Sequence, residues 1–255
     1  MAFVKWIGGA LGFAMGGPIG ALMGFAFGSM FDGAEEDPSQ RRINPGSGGR
    51  AAGYERYRHQ TKQGDFAASL LILSAAVMKA DGKHLKSELD YIREFFVRQF
   101  GDEQAAYHMG VLKELLKKDI PLREVCGQIK YFMEHPARLQ LMHFMFGIAL
   151  ADGHVHSSEE RVISQMASYL GISSRDYQSI KAMFYKNDAA SAYKILEIDK
   201  NVTEAELKKA HRKMVKKYHP DRLKGLGETQ MKAGESKFIE VQKAYENIKK
   251  EKGWN

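Results

Sequence analysis

Apolar residues recur at spacings of three and four along most of this chain, the period of an amphipathic helix. Phe66 to Ala80, Ser87 to Phe100, Gln104 to Lys117 and Leu139 to Ala151 each read as one helix. Another runs from Thr203 to Tyr218, with Leu207, Ala210, Met214 and Tyr218 as its apolar stripe. The pattern predicts an all-α fold. Thr203 with Glu206 is spaced as a capping box that starts this last helix. Pro220 disfavours helical backbone at His219 and so ends it near Tyr218. Its other face carries Lys208, Lys209, Arg212, Lys213, Lys216 and Lys217. A cationic surface therefore leads up to a stiff turn, His219-Pro220-Asp221, that displays an imidazole and a carboxylate. Such a face suits an acidic partner.

The N-terminus breaks the amphipathic rule. From Trp6 to Phe31, 26 residues carry no charge, and about 20 suffice to cross a bilayer. Residues 1–31 are expected to form a single transmembrane helix, with a cleaved signal peptide or a glycine-rich soluble or interfacial segment as the competing readings. Gly8, Gly12, Gly16, Gly20, Gly24 and Gly28 fall at a strict interval of four. On one helix they form a smooth ridge, which predicts homo-oligomers within the membrane. Pro18 is expected to bend that helix at mid-depth. Lys5 stands alone before the segment while Arg41, Arg42 and Arg50 follow it, which places the C-terminal bulk in the cytoplasm. Residues 32–53, rich in Gly, Pro, Ser and charge, read as a flexible tether.

Residues 54–186 hide an internal repeat. Ala80-Asp81-Gly82 followed by Glu88 returns as Ala151-Asp152-Gly153 followed by Glu159, every offset being 71. Two helical hairpins related by pseudo-symmetry are expected. The Asp-Gly-x5-Glu spacing is also the second half of a calcium loop, so Asp81, Glu88, Asp152 and Glu159 are candidate metal ligands. The first half fails, because Val77, Lys79, Ile148 and Leu150 stand where oxygen ligands belong. In the structural alternative, Gly82 and Gly153 end one helix in left-handed backbone, and Ser87, or Ser157 with Glu160, caps the next. His154 and His156 add nitrogen donors to the second copy alone.

The net charge is +7. Residues 189–255 hold sixteen Lys and Arg against ten Asp and Glu, so most of the excess lies there. No nucleic-acid fold signature accompanies it, and no nucleic-acid partner is expected. Cys126 is the lone cysteine, which excludes an internal disulfide and a cysteine-rich zinc repeat. No Walker loop, nucleophile set or complete metal site is present, so neither a cofactor nor covalent catalysis is expected.

The C-terminal segment 189–255 resembles a J-domain. The His-Pro-Asp turn follows a basic helix, Ala192-Tyr193-Lys194-Ile195-Leu196-Glu197-Ile198 is similar to the short first helix, and Lys237 to Ile248 is similar to the third, with Phe238, Val241, Ala244, Tyr245 and Ile248 as its stripe. The resemblance implies docking on a DnaK-type chaperone and stimulation of its ATP hydrolysis. Lys208, Arg212, Lys213 and Lys217 would supply electrostatic docking, and His219, Pro220 and Asp221 would transmit the stimulus. His211 departs from the pattern, which usually has tyrosine there, so weaker or pH-dependent docking is one expectation. The paired Ala-Asp-Gly-x5-Glu elements and the ending Ser168-Tyr169-Leu170-Gly171-Ile172-Ser173 resemble a TerB-like domain. A glycine-rich membrane segment, a TerB-like domain and a J-domain, in this order, resemble the DjlA family of membrane-anchored co-chaperones. That resemblance implies a regulatory protein of the bacterial inner membrane, linked to envelope stress. Two alternatives stay open, a metal- or ligand-responsive TerB-like sensor and a membrane scaffold, each with a weakened J-domain.

Overall fold

The computed structural model describes residues 3–31, 66–80, 82, 86–185, 189–219 and 228–254, and every regular element among them is an α-helix. The expected tether 32–53, with Arg41, Arg42 and Arg50, lies outside the described residues, as do Asp81, Pro220 and Asp221.

Helix α1, Phe3–Phe31, is not the continuous span its composition suggests. Its backbone leaves the helical region at Gly16 (φ −137°, ψ 15°) and Gly17 (φ 60°, ψ −151°), immediately before Pro18. A positive φ is cheap only for glycine, and proline cannot supply the next helical N–H, so the three residues together turn the chain back. The arms then touch through their backbones: a Cβ built on Gly12 would lie 2.0 Å from the Gly20 carbonyl oxygen. The glycine ridge is folded on itself, Gly8 and Gly12 on one arm and Gly20, Gly24 and Gly28 on the other, with Gly16 at the break. Among the described residues no helix is long and apolar enough to cross a membrane. The bend expected at Pro18 is a full break, placed at Gly16 and Gly17 just before it.

The second arm rests on the middle of the chain. Gln128 serves two of the groups freed at the break, accepting from Ile19 N–H at 3.0 Å and donating to the Gly16 carbonyl at 2.6 Å. Phe27 stacks on Tyr107, with centroids 5.5 Å apart.

Residues 66–78 form α2, in which Leu70, Leu71, Ile72 and Leu73 are all fully buried. A helix apolar on every side belongs inside a bundle. The same buried core takes in residues of α3 (Lys86–Leu115, bent at Gly101), α4 (Leu122–Phe132), α5 (His135–Ala149), α6 (Ser157–Tyr169) and α7 (Ser174–Phe184). The internal repeat is visible in the turns. Ala80 N–H donates to the Val77 carbonyl at 2.9 Å and Gly82 N–H to Lys79 at 3.3 Å; Ala151 to Ile148 and Gly153 to Leu150, both at 2.9 Å, repeat the pair. Gly82 (φ 73°) and Gly153 (φ 92°) take the left-handed backbone expected of them. The caps differ from expectation. α6 is capped at His156, whose N–H donates to Glu159 at 2.9 Å, one residue before Ser157, and Ser87 lies inside the first turn of α3.

The C-terminal unit contains α8 (Ala189–Ile195), α9 (Glu204–Lys217) and α10 (Glu228–Lys252). It is not a free appendage: α8 packs on α7, and α10 reaches α5.

Candidate functional site

The site is built on α9. Thr203 accepts from Glu206 N–H at 3.3 Å while Glu206 accepts from Thr203 N–H at 2.8 Å, the reciprocal box its sequence predicts. Leu207, Met214 and Tyr218 are buried and face α10, where Val241, Ala244 and Ile248 are buried in turn. The helix stops where the proline demands: Tyr218 N–H closes on the Met214 carbonyl and His219 stands exposed beyond it.

Burying one face fixes the other outward. Lys208, Lys209, Arg212, Lys213 and Lys216 are exposed. His211, Arg212, Val215, Lys216 and His219 line a shallow, open cavity of about 420 Å³. Its walls are mostly carbon, because the stems of Arg212 and Lys216 lie along it with Val215. It offers an apolar seat rimmed by positive charge. Val215 was not singled out by sequence; it is marked only by falling one position off the buried stripe.

His211 takes part in the packing of this unit. Its ring stacks on Tyr245, with centroids 4.2 Å apart, and Nε2 lies 3.0 Å from Gln242 Oε1. Gln242 spends its amide N–H on Glu246 at 3.2 Å, which leaves its carbonyl oxygen to accept from the imidazole.

The predicted cations are not equally open. Lys208, Arg212 and Lys213 are exposed, Lys208 pairing with Glu204 at 2.5 Å on its own helix and Lys213 with Glu197 at 3.1 Å, while Lys217 is largely withdrawn and pairs with both Glu197 and Asp176. The Lys217 side chain is only 16% exposed and that of Asp176 8%. Asp176 belongs to α7, so Lys217 joins the C-terminal unit to the middle domain. The second carboxylate oxygen accepts from Ser173 Oγ at 2.8 Å and lies 3.4 Å from His135 Nε2. Burial alone would raise this carboxyl, but hydrogen bonds from His135, Lys217 and Ser173 and the charge of Lys217 hold it well below the usual range.

Glu197 adds a further oddity. Ile198 N–H reaches the Tyr193 carbonyl and Glu197 N–H that of Lys194, a Schellman ending with Glu197 in the left-handed position (φ 58°). Gly171 and Gly253 fill the same place after α6 and α10. A glutamate there accepts backbone strain and supplies the carboxylate that gathers Lys213 and Lys217.

A second tie lies on α10. Lys237 is fully buried, donating to the Leu139 carbonyl at 3.1 Å and to Gln140 Oε1 at 2.6 Å, both on α5. Burial pushes its amine well below the usual lysine value. Ser179 on α7 donates to the Ile195 carbonyl at 2.8 Å.

The remaining candidates are employed locally. Asp152 accepts from His154 N–H at 2.9 Å, Glu159 caps α6, and Glu88 is buried in α3. Among the described residues no three His, Cys, Asp or Glu side chains gather into a group that could hold a metal ion. Cys126 is buried, and burial pushes its thiol up to about 12.

Three family models match the chain in succession: the co-chaperone DjlA transmembrane domain over residues 1–51, the tellurite resistance protein TerB over 67–182, and the DnaJ domain over 191–253. A co-chaperone protein DjlA of Vibrio vulnificus is 32% identical over 265 residues, covering 88% of this chain and 91% of that protein. The co-chaperone protein DjlA of Photobacterium profundum is 27% identical over 280 residues, covering 98% and 99%. That of Haemophilus influenzae is 23% identical with both chains covered in full. No solved structure matches.

Proposed function

This chain belongs to the DjlA co-chaperone family, and from that premise we propose that it binds a DnaK-type chaperone through α9 and stimulates the partner's ATP hydrolysis. The observation that carries the reading is the outward face of α9, where Arg212 and Lys216 flank an apolar seat that ends at His219 and Lys208 stands exposed one turn before it. The cations draw an acidic surface into place, and the imidazole at the helix end, with Pro220 and Asp221 next in sequence, delivers the stimulus. Hydrolysis takes place on the partner.

The apolar N-terminus holds this activity at the bacterial inner membrane, with the TerB-like and J units on the cytoplasmic side. A single crossing requires the break at Gly16 and Gly17 to straighten, which two glycines permit. Straightened, the ridge from Gly8 to Gly28 is restored and can pair with a second copy. The TerB-like domain selects the client or senses envelope stress.

The test is steady-state ATP hydrolysis by a DnaK-type chaperone with the full chain in detergent micelles, wild type against His219→Gln. Stimulation that the variant loses supports the reading. Equal stimulation by a folded variant overturns it.

A further inference from the structure

We propose, resting on that reading of α9, that the TerB-like domain is a built-in competitor for the docking helix: Asp176 holds Lys217, and a chaperone engages α9 fully only when this contact opens. The competitor is prepared in advance. Ser173 and His135 occupy one oxygen of Asp176, which leaves the other aimed at Lys217. Both partners of the ion pair are largely removed from solvent, so it is screened by salt far less than an exposed pair. Lys217 keeps Glu197 within its own unit when it leaves Asp176, so release costs one of its two carboxylates, and an acidic chaperone surface is a source of a replacement.

The contact sits on the last turn of α9, one residue from buried Tyr218 and two from His219. Arg212 and Lys216 remain outward, and Lys208 is held only by Glu204 of its own helix at the surface, so first encounter is not obstructed by the TerB-like domain. Engagement therefore has two stages, capture on the open cations and then transfer of Lys217 from Asp176 to the partner. Only residues 186–188 separate the described end of the middle domain from α8, and so short a connection keeps the competitor at high effective concentration. Lys237 and Ser179 keep the units together while Lys217 exchanges.

The experiment titrates a DnaK-type chaperone's ATP hydrolysis with the full chain in micelles as wild type, Asp176→Asn and Asp176→Glu, each with and without His219→Gln. Asp176→Asn is expected to reach half-maximal stimulation at about fivefold lower concentration, the low end of allosteric couplings, with Asp176→Glu behaving as wild type. Amide exchange without chaperone is expected to quicken over residues 207–218 in Asp176→Asn alone, which separates release of the helix from general unfolding. If the wild type stimulates and Asp176→Asn needs the same or more protein, or if its α9 amides exchange as before, the competitor role is overturned while the co-chaperone reading stands. If no form stimulates, or if His219→Gln changes nothing, the underlying reading falls and takes the competitor with it.

Discussion

Lys237 shows how much a single buried residue can say about the joint between two units. A fully buried ammonium is costly, and with burial holding its folded value well below the usual lysine range the amine can sit neutral, with two N–H bonds for Leu139 and Gln140. The folded chain then binds fewer protons than the unfolded one. Stability therefore rises with pH from the depressed folded value up to about 10.4 and is flat below it. Replacing Lys237 by Met keeps the stem and removes the titration. In urea denaturation the stability of wild type relative to Lys237→Met should rise from pH 8 to pH 10, by at most about 1.4 kcal/mol per pH unit. Parallel curves would mean that the amine stays charged in the fold. None of this is visible in sequence, where Lys237 is one lysine among many opening a helix that reads as ordinary; its acceptors lie 98 and 97 positions away.

At the scale of elements, legibility depended on how local the cause was. The α9 box and its end at Tyr218 depend on four or five neighbouring residues, and both stand as read. So does the repeat, because its turns close on carbonyls within three positions. The α6 cap slipped by one residue, since Ser157 and His156 compete for the same place and Glu159, not Glu160, closes it. In α1 the bend at Pro18 is legible but its depth is not: a ridge of glycines fits a straight helix and a hairpin equally well, and Gln128, which serves the break, lies more than a hundred positions away. Gly147 is a second case of long-range cause. It reads as a flaw in the apolar α5, yet a Cβ there would meet Tyr91 Oη at 2.1 Å and Cζ at 2.5 Å. Gly147→Ala should therefore destabilise, overpacking at about 1–3 kcal/mol outweighing a helix-propensity gain of about 1 kcal/mol. Chemical denaturation checks the sign, and adding Tyr91→Phe, which deletes the closest atom, should return part of the loss. A Gly147→Ala chain as stable as wild type would show that Tyr91 swings aside freely.

At the scale of the whole molecule, the spacing of the units decides what the C-terminal unit can do. A J-domain on a long tether would unfold by itself, and its docking helix would meet the chaperone independently of the body. Here α8 lies on α7 and α10 reaches α5, and the joint contains a buried ion pair, a buried amine and the Ser179 bond to Ile195. Losing any one of these leaves a desolvated partner behind, which is the condition under which neighbouring units unfold together. Calorimetry on the chain in micelles should accordingly give one endotherm for the TerB-like and J units, with calorimetric and van't Hoff enthalpies equal. Two resolved transitions would show that the joint is weaker than either unit, and a competitor as loosely held as that could not keep Lys217 from a chaperone.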